Sequence, residues 1–383
     1  MVTQRHVVVV GAGVAGATAA WYLNRTGQRV TIYEAEAEVG GQLRAKTMDE
    51  FGLLYEPHGP HIFHTSNPTA YKLVSSHCRL NDYQHRVLTE VEPGHYLTWP
   101  LQVNELKKTR WWPLISAELN HLPATPVSTN LETYAISIMG STLYELFVAG
   151  YTRKQWGREP AELSCRFAPK RLVLRNDDDP RMFRDPFQGW CVGGWQNLVQ
   201  GLLADQRIEV QLTRPVTIND LPNADGYVIT APLDEFLRAE PLQWRGIISE
   251  PYLYPISDRK LKAGVVNQPS PDTTATRLVE TKWMSGQEQC GTIVVHEFPG
   301  APLRHYPVDD EFGFNRARHR DLVRELHEIV PNAVLAGRLA NYVYIDIDQA
   351  VMQGLAAGKR LLRFLSGDQP GTINPEEPEE IEC

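Results

Sequence analysis

The sequence predicts an α/β fold in which a Rossmann-like nucleotide-binding domain is interrupted by a helical insertion and an antiparallel β-sheet domain. The first observation is the run His6–Val10, whose four consecutive valines are typical of a parallel strand covered on both faces. The second is a glycine-rich turn at 11–16 that leads into a small, apolar helix over 15–23. The third is a strand-rich region over 205–300 that follows a mostly helical region over 66–165.

Later elements return the chain to the first domain. GYVITAP, starting at 226, resembles a strand that rejoins a nucleotide-binding sheet. A charged amphipathic helix is predicted over 315–329, then a strand at VLAGRL and a helix over 346–365. The predicted domains are a discontinuous nucleotide-binding domain (1–75, 190–235 and 325–368), a helical domain (100–165), a β-sheet substrate domain (76–99, 166–189 and 236–324) and a disordered acidic tail (369–383).

Composition narrows the classes of function. The 383 residues are 42% hydrophobic and 22% charged, with a formal net charge of −8, so nothing favours nucleic acid or an anionic membrane as a partner. No apolar run is long enough for a membrane span, and the N-terminus enters a strand without a cleavable signal. The five cysteines lack metal-ligand spacing, which favours a reduced cytoplasm without a metal site or a disulfide framework; they are Cys78, Cys165, Cys191, Cys290 and Cys383.

The turn after the first strand carries a dinucleotide fingerprint. Gly11, Gly13 and Gly16 form the pattern G-x-G-x-x-G between strand and helix. Such glycines permit a tight turn, approach of the backbone to a pyrophosphate, and close packing of helix on strand. The helix N-terminus presents free N–H groups to the phosphates. Glu34 ends the next strand, where a carboxylate can bind ribose hydroxyls.

Further glycines indicate which dinucleotide is bound. Gly40 and Gly41 follow the acid closely, and this arrangement resembles FAD-binding proteins such as amine oxidases and glutathione reductase. Gly337 and Arg338 precede a helix that begins near Asp346, which suits the same group. We expect the glycine to pass close to FAD and the arginine to neutralise phosphate, although a surface ion pair is the alternative for this arginine. The helix N-terminus would stabilise negative charge on the flavin.

Six further features make the chain resemble the UDP-galactopyranose mutases over nearly its whole length. They are GPHIFHT (59–65), GYTRKQWG (150–157), KRLVLR (170–175), VGGW (192–195), TRLVE (276–280), and HYPVDD (305–310) with GRLANYVYIDIDQ (337–349). The resemblance implies an isomerase that interconverts pyranose and furanose forms of a nucleoside-diphosphate sugar similar to UDP-galactose. It implies a reduced flavin whose N5 forms a covalent sugar adduct and then an iminium, without net redox change. NAD(P)H or another reductant would activate the flavin.

The same resemblance assigns roles to individual residues. Arg175 and Arg277 match two arginines that clamp the diphosphate, a role that suits guanidinium groups because they bind phosphate bidentately and stay charged. His64 and Asp346 match residues near the flavin; the aspartate is also a plausible N-cap, and a structural role stays open for His61. The other implied substrate contacts are Tyr306 and Tyr344 at the diphosphate, Trp156 beside it, Tyr151 and Phe147 at the uracil, and Asn267 near the nucleotide.

The chain departs from the family pattern at substrate positions. Phe187 stands where a tyrosine is usual, His85-Arg86-Val87 where Asn-Ser-Pro is frequent, Ala275 where an aromatic residue is common, and Pro60 where alanine is usual. We therefore hypothesise a different nucleotide sugar: a deoxy sugar, an N-acetyl sugar, a pentose, or a sugar on thymidine or guanosine diphosphate.

Several alternatives remain open at this stage. The charged segment 170–185 is either a mobile lid over the diphosphate or a solvated loop. The protein is either a mutase, an FAD-dependent oxidoreductase of the amine-oxidase or desaturase type, or a non-catalytic binder that kept the scaffold. A homodimer or higher homo-oligomer is expected.

Overall fold

The computed structural model describes residues 4–48, 50–166, 171–300, 304–310 and 312–367. The predicted disordered tail, 369–383, lies outside these residues. The strands are β1 (His6–Val10), β2 (Arg29–Tyr33), β3 (Lys46–Met48), β4 (Leu53–Tyr55), β5 (Phe63–Thr65), β6 (Val87–Glu92), β7 (His95–Trp99), β8 (Leu101–Gln102), β9 (Leu174–Arg175), β10 (Phe187–Gly189), β11 (Ile208–Gln211), β12 (Gly226–Ile229), β13 (Trp244–Tyr254), β14 (Val265–Asn267), β15 (Arg277–Val279), β16 (Thr292–Gly300), β17 (Tyr306–Pro307) and β18 (Ala333–Leu335).

The helices alternate with these strands. They are α1 (Val14–Arg25), α2 (Pro68–His77), α3 (Val103–Leu106), α4 (Trp112–Leu119), α5 (Leu131–Leu143), α6 (Gly150–Trp156), α7 (Gln196–Leu202), α8 (Leu233–Phe236), α9 (Lys282–Ser285), α10 (Phe314–Ile329), α11 (Gly337–Ala340) and α12 (Ile347–Leu365). Short 3₁₀ turns cover Pro160–Glu162 and Ile218–Asp220, and Tyr144–Ala149 is π-helical. Within the described residues, no helix is both long and apolar enough to cross a membrane.

A parallel sheet of the order β11-β2-β1-β12-β18 forms the nucleotide-binding domain. The valines of β1 are almost completely buried, because helices cover both faces of such a sheet. Helix α12 packs on α1 through Gly354, where a Cβ atom would lie 2.3 Å from the carbonyl oxygen of Ala15. The Rossmann-like α/β prediction is therefore confirmed, and its first and last helices form one layer.

A larger sheet, β17-β13-β16-β15-β14-β6-β7, forms the second domain. Its pairings are antiparallel except for the parallel pair β14–β6. The predicted antiparallel sheet domain is thus present. No strand is predicted at β13, since Arg245, Glu250 and Pro251 interrupt its apolar alternation. Pairing with β16 over nine residues outweighs that weak local pattern.

The helical insertion is built around α4, α5 and α6. Asn130 begins α5 by accepting a hydrogen bond from the backbone N–H of Thr133 at 2.9 Å, as expected of an N-cap. The prediction that 66–165 is mostly helical is wrong between 87 and 102, where β6, β7 and β8 form. VLTEVE and HYLTW alternate in polarity around a Pro-Gly turn, which is a hairpin pattern.

Two other predicted strands are shorter than expected. In TRLVETKW only Arg277–Val279 is a strand, and α9 begins at Lys282. In VLAGRL the strand ends at Leu335 and Gly337 starts α11 with a φ of +85°. The predicted helices over 315–329 and 346–365 are present as α10 and α12, each within one residue of its expected start.

Candidate functional site

The glycine turn after β1 forms a cradle into which no side chain fits. Gly11 has a φ of +100°, and a Cβ atom there would lie 2.3 Å from Oγ1 of Thr230. A Cβ atom on Gly16 would lie 2.1 Å from the carbonyl oxygen of Gly11. At Gly41 it would lie 3.2 Å from the Cα atom of Gly13. The bare backbone at the N-terminus of α1 therefore fits the pyrophosphate of a dinucleotide such as FAD.

Neighbouring groups hold this cradle in shape. The N–H of Gly40 donates to the carbonyl oxygen of Ala12 at 2.9 Å. The buried carboxylate of Glu34 accepts hydrogen bonds from the N–H groups of Ala12 (2.7 Å) and Glu36 (2.9 Å). The acid stands at the end of β2, as the fingerprint requires, and its contact with ribose remains a prediction.

Gly337 and Arg338 connect the cradle to a second cluster. A Cβ atom on Gly337 would lie 3.0 Å from the Cβ of Ala15 in α1. The guanidinium of Arg338 donates to the carbonyl oxygens of Ile345 (2.6 Å) and His305 (3.1 Å). It also lies 4.8 Å from the ring centroid of Tyr344 and 5.7 Å from that of Tyr306. Arg338 is therefore not a surface ion pair, and its charge lies among aromatic rings; a contact with phosphate remains a prediction.

The second cluster joins cationic and aromatic side chains from the larger sheet, from helix α6, and from the segments around 171 and 337–344. Tyr306 and Tyr344 stack with ring centroids 5.5 Å apart, and Trp156 lies 5.9 Å from Tyr306. Arg277 donates through Nη2 to the hydroxyl of Tyr306 at 3.3 Å. Tyr344 is 36% exposed, so the cluster opens to solvent. We call this set the arginine–tyrosine cluster; its members are Trp156, Arg171, Arg277, Tyr306, Arg338 and Tyr344.

Strand register positions the central guanidinium. Arg277 pairs with Asn267 on one side and with Glu297 on the other. Its side chain forms an ion pair with Glu297, whose carboxylate is almost completely buried. Burial lowers the pKa of Arg277, but Glu297 and Tyr306 outweigh this effect and raise it well above its usual value. The guanidinium of Arg277 therefore stays charged. Asn267, which is predicted to lie near the nucleotide, is its partner on the adjacent strand β14.

The second arginine of the cluster is Arg171, which sequence analysis did not select. Its Nη2 donates to both carboxylate oxygens of Asp346, at 2.9 and 3.1 Å, and the guanidinium lies 5.2 Å from the ring centroid of Tyr344. Arg175, the predicted partner of Arg277, instead donates to the carbonyl oxygens of Arg181 (2.5 Å) and Met182 (3.1 Å) in its own loop. The KRLVLR motif contains both arginines, and the contact of Arg175 with the diphosphate stays a prediction.

His64 and Asp346 form a charged pair beside Arg171. Nδ1 of His64 lies 2.9 Å from Asp185, and Nε2 lies 3.6 Å from Asp346. Burial would lower the pKa of His64, but the hydrogen bonds to the two aspartates outweigh it and raise the pKa to about 9. Burial would raise the pKa of Asp346, yet Arg171 and His64 hold it far below its usual value. Asp346 also precedes α12 as its N-cap residue, so both predicted roles are compatible.

An aromatic column extends from this pair to His85. Phe183 stacks on His64 with centroids 3.5 Å apart and lies 6.0 Å from the ring of His85. Nδ1 of His85 hydrogen-bonds the hydroxyl of Tyr83 at 3.1 Å. Burial, together with His64 and Arg277, lowers the pKa of His85 to about 3. This histidine is therefore neutral at neutral pH, and its contact with the substrate stays a prediction.

A buried carboxylate beneath His61 was not predicted. His61 donates its backbone N–H to Glu56 at 3.3 Å, and its Nδ1 lies 3.3 Å from the same carboxylate. Burial raises the pKa of Glu56 to about 8, and burial together with Arg338 and Arg277 lowers the pKa of His61 to about 3. Across the described ranges, no three histidine, cysteine, aspartate or glutamate side chains are grouped so as to hold a metal.

Two predicted substrate contacts lie in other surroundings. Phe147 is buried in the core of the helical insertion, where it stacks on Trp99 at 6.1 Å. Phe187 stacks on Tyr71 of α2 at 4.2 Å. Both substrate contacts stay predictions. Tyr151, by contrast, lies in α6 near Arg277, whose charge acts on it.

The fold and these two clusters define a class of protein: a dinucleotide-binding α/β protein with an adjacent cationic, aromatic-lined site. A family model described as UDP-galactopyranose mutase matches residues 146–344, more than half of the chain. A model described as an NAD(P)-binding Rossmann-like domain matches residues 9–76. The chain therefore belongs to the UDP-galactopyranose mutase family, and this membership implies a flavin-dependent isomerase of pyranose and furanose sugar forms.

Individual relatives agree with this assignment. The chain is 26% identical over 379 residues to a probable UDP-galactopyranose mutase of Klebsiella pneumoniae, covering 96% of this chain and 97% of the relative. It is 28% identical over 381 residues to a dTDP-fucopyranose mutase of Escherichia coli, covering 94% and 99%. A crystal structure of reduced UDP-galactopyranose mutase shares the fold with a TM-score of 0.73 at 16% identity, covering 97% of this chain and 98% of that one.

Proposed function

We propose that this protein interconverts the pyranose and furanose forms of a nucleoside-diphosphate sugar, with reduced FAD as covalent catalyst. The observation that carries the proposal is the convergence of Arg171, Arg277 and Arg338 on two stacked tyrosines next to the glycine cradle. Such a site suits a diphosphate leaving group, since guanidinium groups bind phosphate oxygens and remain charged. An amine-oxidase type of reaction has no need of this cationic cluster.

The protein residues would control charge during the reaction. Arg171 and Arg277 would stabilise the negative charge that develops on the diphosphate as its bond to the anomeric carbon breaks. The hydroxyl of Tyr306, which Arg277 contacts, would donate to a phosphate oxygen. Glu297 would hold the guanidinium of Arg277 in place, because the two groups form a buried ion pair.

The flavin side would be held by the glycine cradle and the N-terminus of α12. When bound and reduced, the flavin supplies the nucleophile that retains the anomeric carbon while the sugar ring opens and closes. The protonated His64, fixed between Asp185 and Asp346, would keep a positive charge near the reacting groups. We propose that NAD(P)H or another external reductant prepares the flavin for turnover.

We further propose a substrate other than UDP-galactose. The support is the neutral, buried His85 close to the charged cluster and the buried alanine at 275 just before Thr276 and Arg277, which both depart from the family pattern. One relative is named for a thymidine-linked deoxy sugar, so such sugars are the first alternatives to test.

The test is product analysis with dithionite-reduced and with oxidised protein, offered UDP-galactose and dTDP-fucose among other nucleotide sugars. We expect a furanose isomer of at least one sugar only from the reduced protein, and a sugar–flavin species after borohydride-type trapping. Net oxidation of a substrate by the oxidised protein would favour a flavin oxidase. Family-like activity with UDP-galactose would remove the proposal of altered specificity.

A further inference from the structure

The half-buried ammonium group of Lys154 ties helix α6 to the connection between β14 and β15. Nζ of Lys154 is surrounded by five oxygen atoms from residues 268–275. An ammonium has three protons to donate, so these oxygens share them as in a cation cage. The acceptors are the carbonyl oxygens of Gln268, Ser270 (2.9 Å), Thr273 (3.0 Å) and Ala275 (2.9 Å), and Oγ1 of Thr273 (3.0 Å).

The backbone of α6 is attached at both ends. At its start, a Cβ atom on Gly150 would lie 2.2 Å from the carbonyl oxygen of Pro269, so helix and loop are in direct contact. At its end, Arg245 of β13 donates to the carbonyl oxygens of Gln155 (3.0 Å) and Lys154 (3.1 Å). Helix α6 is therefore held to the β14–β15 loop at its start and to β13 at its end.

The caged loop leads directly to the arginine–tyrosine cluster. It begins after Asn267 and ends just before Arg277, and these two residues are paired across β14 and β15. On the other side of the cage, α6 carries Tyr151 and Trp156, and the latter contacts Tyr306. The ammonium group of Lys154 thus connects α6, which carries the aromatic residues Tyr151 and Trp156, to the loop that ends just before Arg277.

We propose that Lys154 is a positioning residue that sets the separation between the aromatic side of the nucleotide pocket and Arg277. The inference rests on the proposed function, because it assumes that a nucleoside diphosphate lies between these groups. Loss of the ammonium would leave several carbonyl groups without a donor, and the loop would shift to satisfy them. A displacement near 1 Å at such a site can lower activity by about 100-fold.

The chain offers a matched control for a purely structural effect. Lys282, in α9, is more deeply buried than Lys154, and its Nζ donates to the carbonyl oxygens of Gln289 (2.7 Å) and Gly291 (3.0 Å) and to Asp258 (2.8 Å). Neither it nor its acceptors contact the arginine–tyrosine cluster among the described residues. Removing either lysine should lower the melting temperature, but only Lys154 should affect nucleotide binding.

The experiment compares Lys154→Ala, Lys154→Met and Lys282→Ala by calorimetric titration of the folded, FAD-loaded proteins with UDP, dTDP and GDP. Lys154→Met keeps the packing of the side-chain stem if the alanine variant fails to fold. We expect both Lys154 variants to bind the preferred nucleotide at least about tenfold more weakly than wild type, while Lys282→Ala binds normally. n-Propylammonium, which replaces the deleted atoms, should restore binding to Lys154→Ala but not change Lys282→Ala; tetramethylammonium at equal concentration should restore nothing.

The outcomes separate the two proposals. If wild type binds none of the three nucleotides, the proposed function fails and this inference fails with it. If wild type binds a nucleotide and the Lys154 variants bind it equally well, only the inference is overturned. Equal weakening in the Lys154 and Lys282 variants would also overturn it, since the effect would then be general destabilisation.

Discussion

Arg171 and Arg175 stand four residues apart in one motif, yet they make different contacts. The first donates to Asp346 and lies over Tyr344. The second donates to two carbonyl oxygens of its own loop, and burial together with the nearby Arg184 lowers its pKa. A sequence motif identifies the residue types at such a site, but which guanidinium faces the tyrosines depends on the path of the chain after β9.

We therefore predict that Arg171→Lys lowers the affinity for the nucleoside diphosphate about 10- to 100-fold, since charged hydrogen bonds contribute about 1.5–3 kcal/mol. A lysine cannot reproduce the planar contacts with Asp346 and the ring of Tyr344. Titration calorimetry with UDP or dTDP would measure the change. Arg175→Lys is the matched variant and should lose much less; a larger loss there would mean that the 175–184 loop closes onto the ligand.

The charged state of His64 makes stability depend on pH. Its pKa is raised from 6.5 to about 9 in the folded protein, so the folded state binds more protons between these values. Its stabilisation is complete below about pH 6.5 and is lost as pH rises through about 9, by up to about 3 kcal/mol. Urea unfolding at both pH values should show a steeper loss for wild type than for His64→Gln. If the free energy of unfolding fell by the same amount in both proteins as pH rises, the ion pair of His64 would contribute nothing to stability.

At the scale of elements, the contact between α1 and α12 decides how the two ends of the nucleotide-binding domain meet. Gly354 and Gly358 of α12 lie against Ala15, Thr18 and Tyr22 of α1, at distances that leave no space for a Cβ atom. The sequence shows two glycines in a helical pattern, where they lower intrinsic helix stability. Only the packed structure shows why glycine is needed there.

Whether Gly354→Ala raises or lowers the free energy of unfolding tests this explanation. Helix propensity alone favours alanine by about 1 kcal/mol, whereas a Cβ atom 2.3 Å from the carbonyl oxygen of Ala15 forces the helices apart, which costs about 1–3 kcal/mol. We expect net destabilisation in urea unfolding. Lys359→Ala on the exposed face should change stability by less than about 0.5 kcal/mol, and a stabilised Gly354→Ala would contradict the packing argument.

For the whole molecule, the cradle comes from the parallel sheet and the cluster mainly from the antiparallel sheet and the helical insertion. The two sites meet through Gly337, Arg338 and Asp346, which all lie in the segment 337–346 before α12. FAD retention and nucleotide binding should therefore be separable by mutation.

Gly16→Val should abolish FAD retention, because its side chain would collide with the carbonyl oxygen of Gly11 and close the cradle. Arg277→Lys should keep FAD and lose nucleotide affinity by about 10- to 100-fold. Flavin absorbance per polypeptide and calorimetric titration measure the two properties. Loss of FAD in Arg277→Lys would show that the ion pair with Glu297 supports the whole fold rather than the nucleotide site.

The local sequence determined the parts of this protein that depend on neighbouring residues: the strand of valines, the glycine turn, the helix that begins after Asp346, and the presence of two arginines in one motif. These features follow from backbone sterics, capping and hydrophobic periodicity, which act over a few residues. Tertiary structure alone decided the long strand β13, the choice of Arg171, the burial of Glu56 and the cage around Lys154. Each of these depends on groups far apart in the chain, whose burial and pairing outweigh local preference.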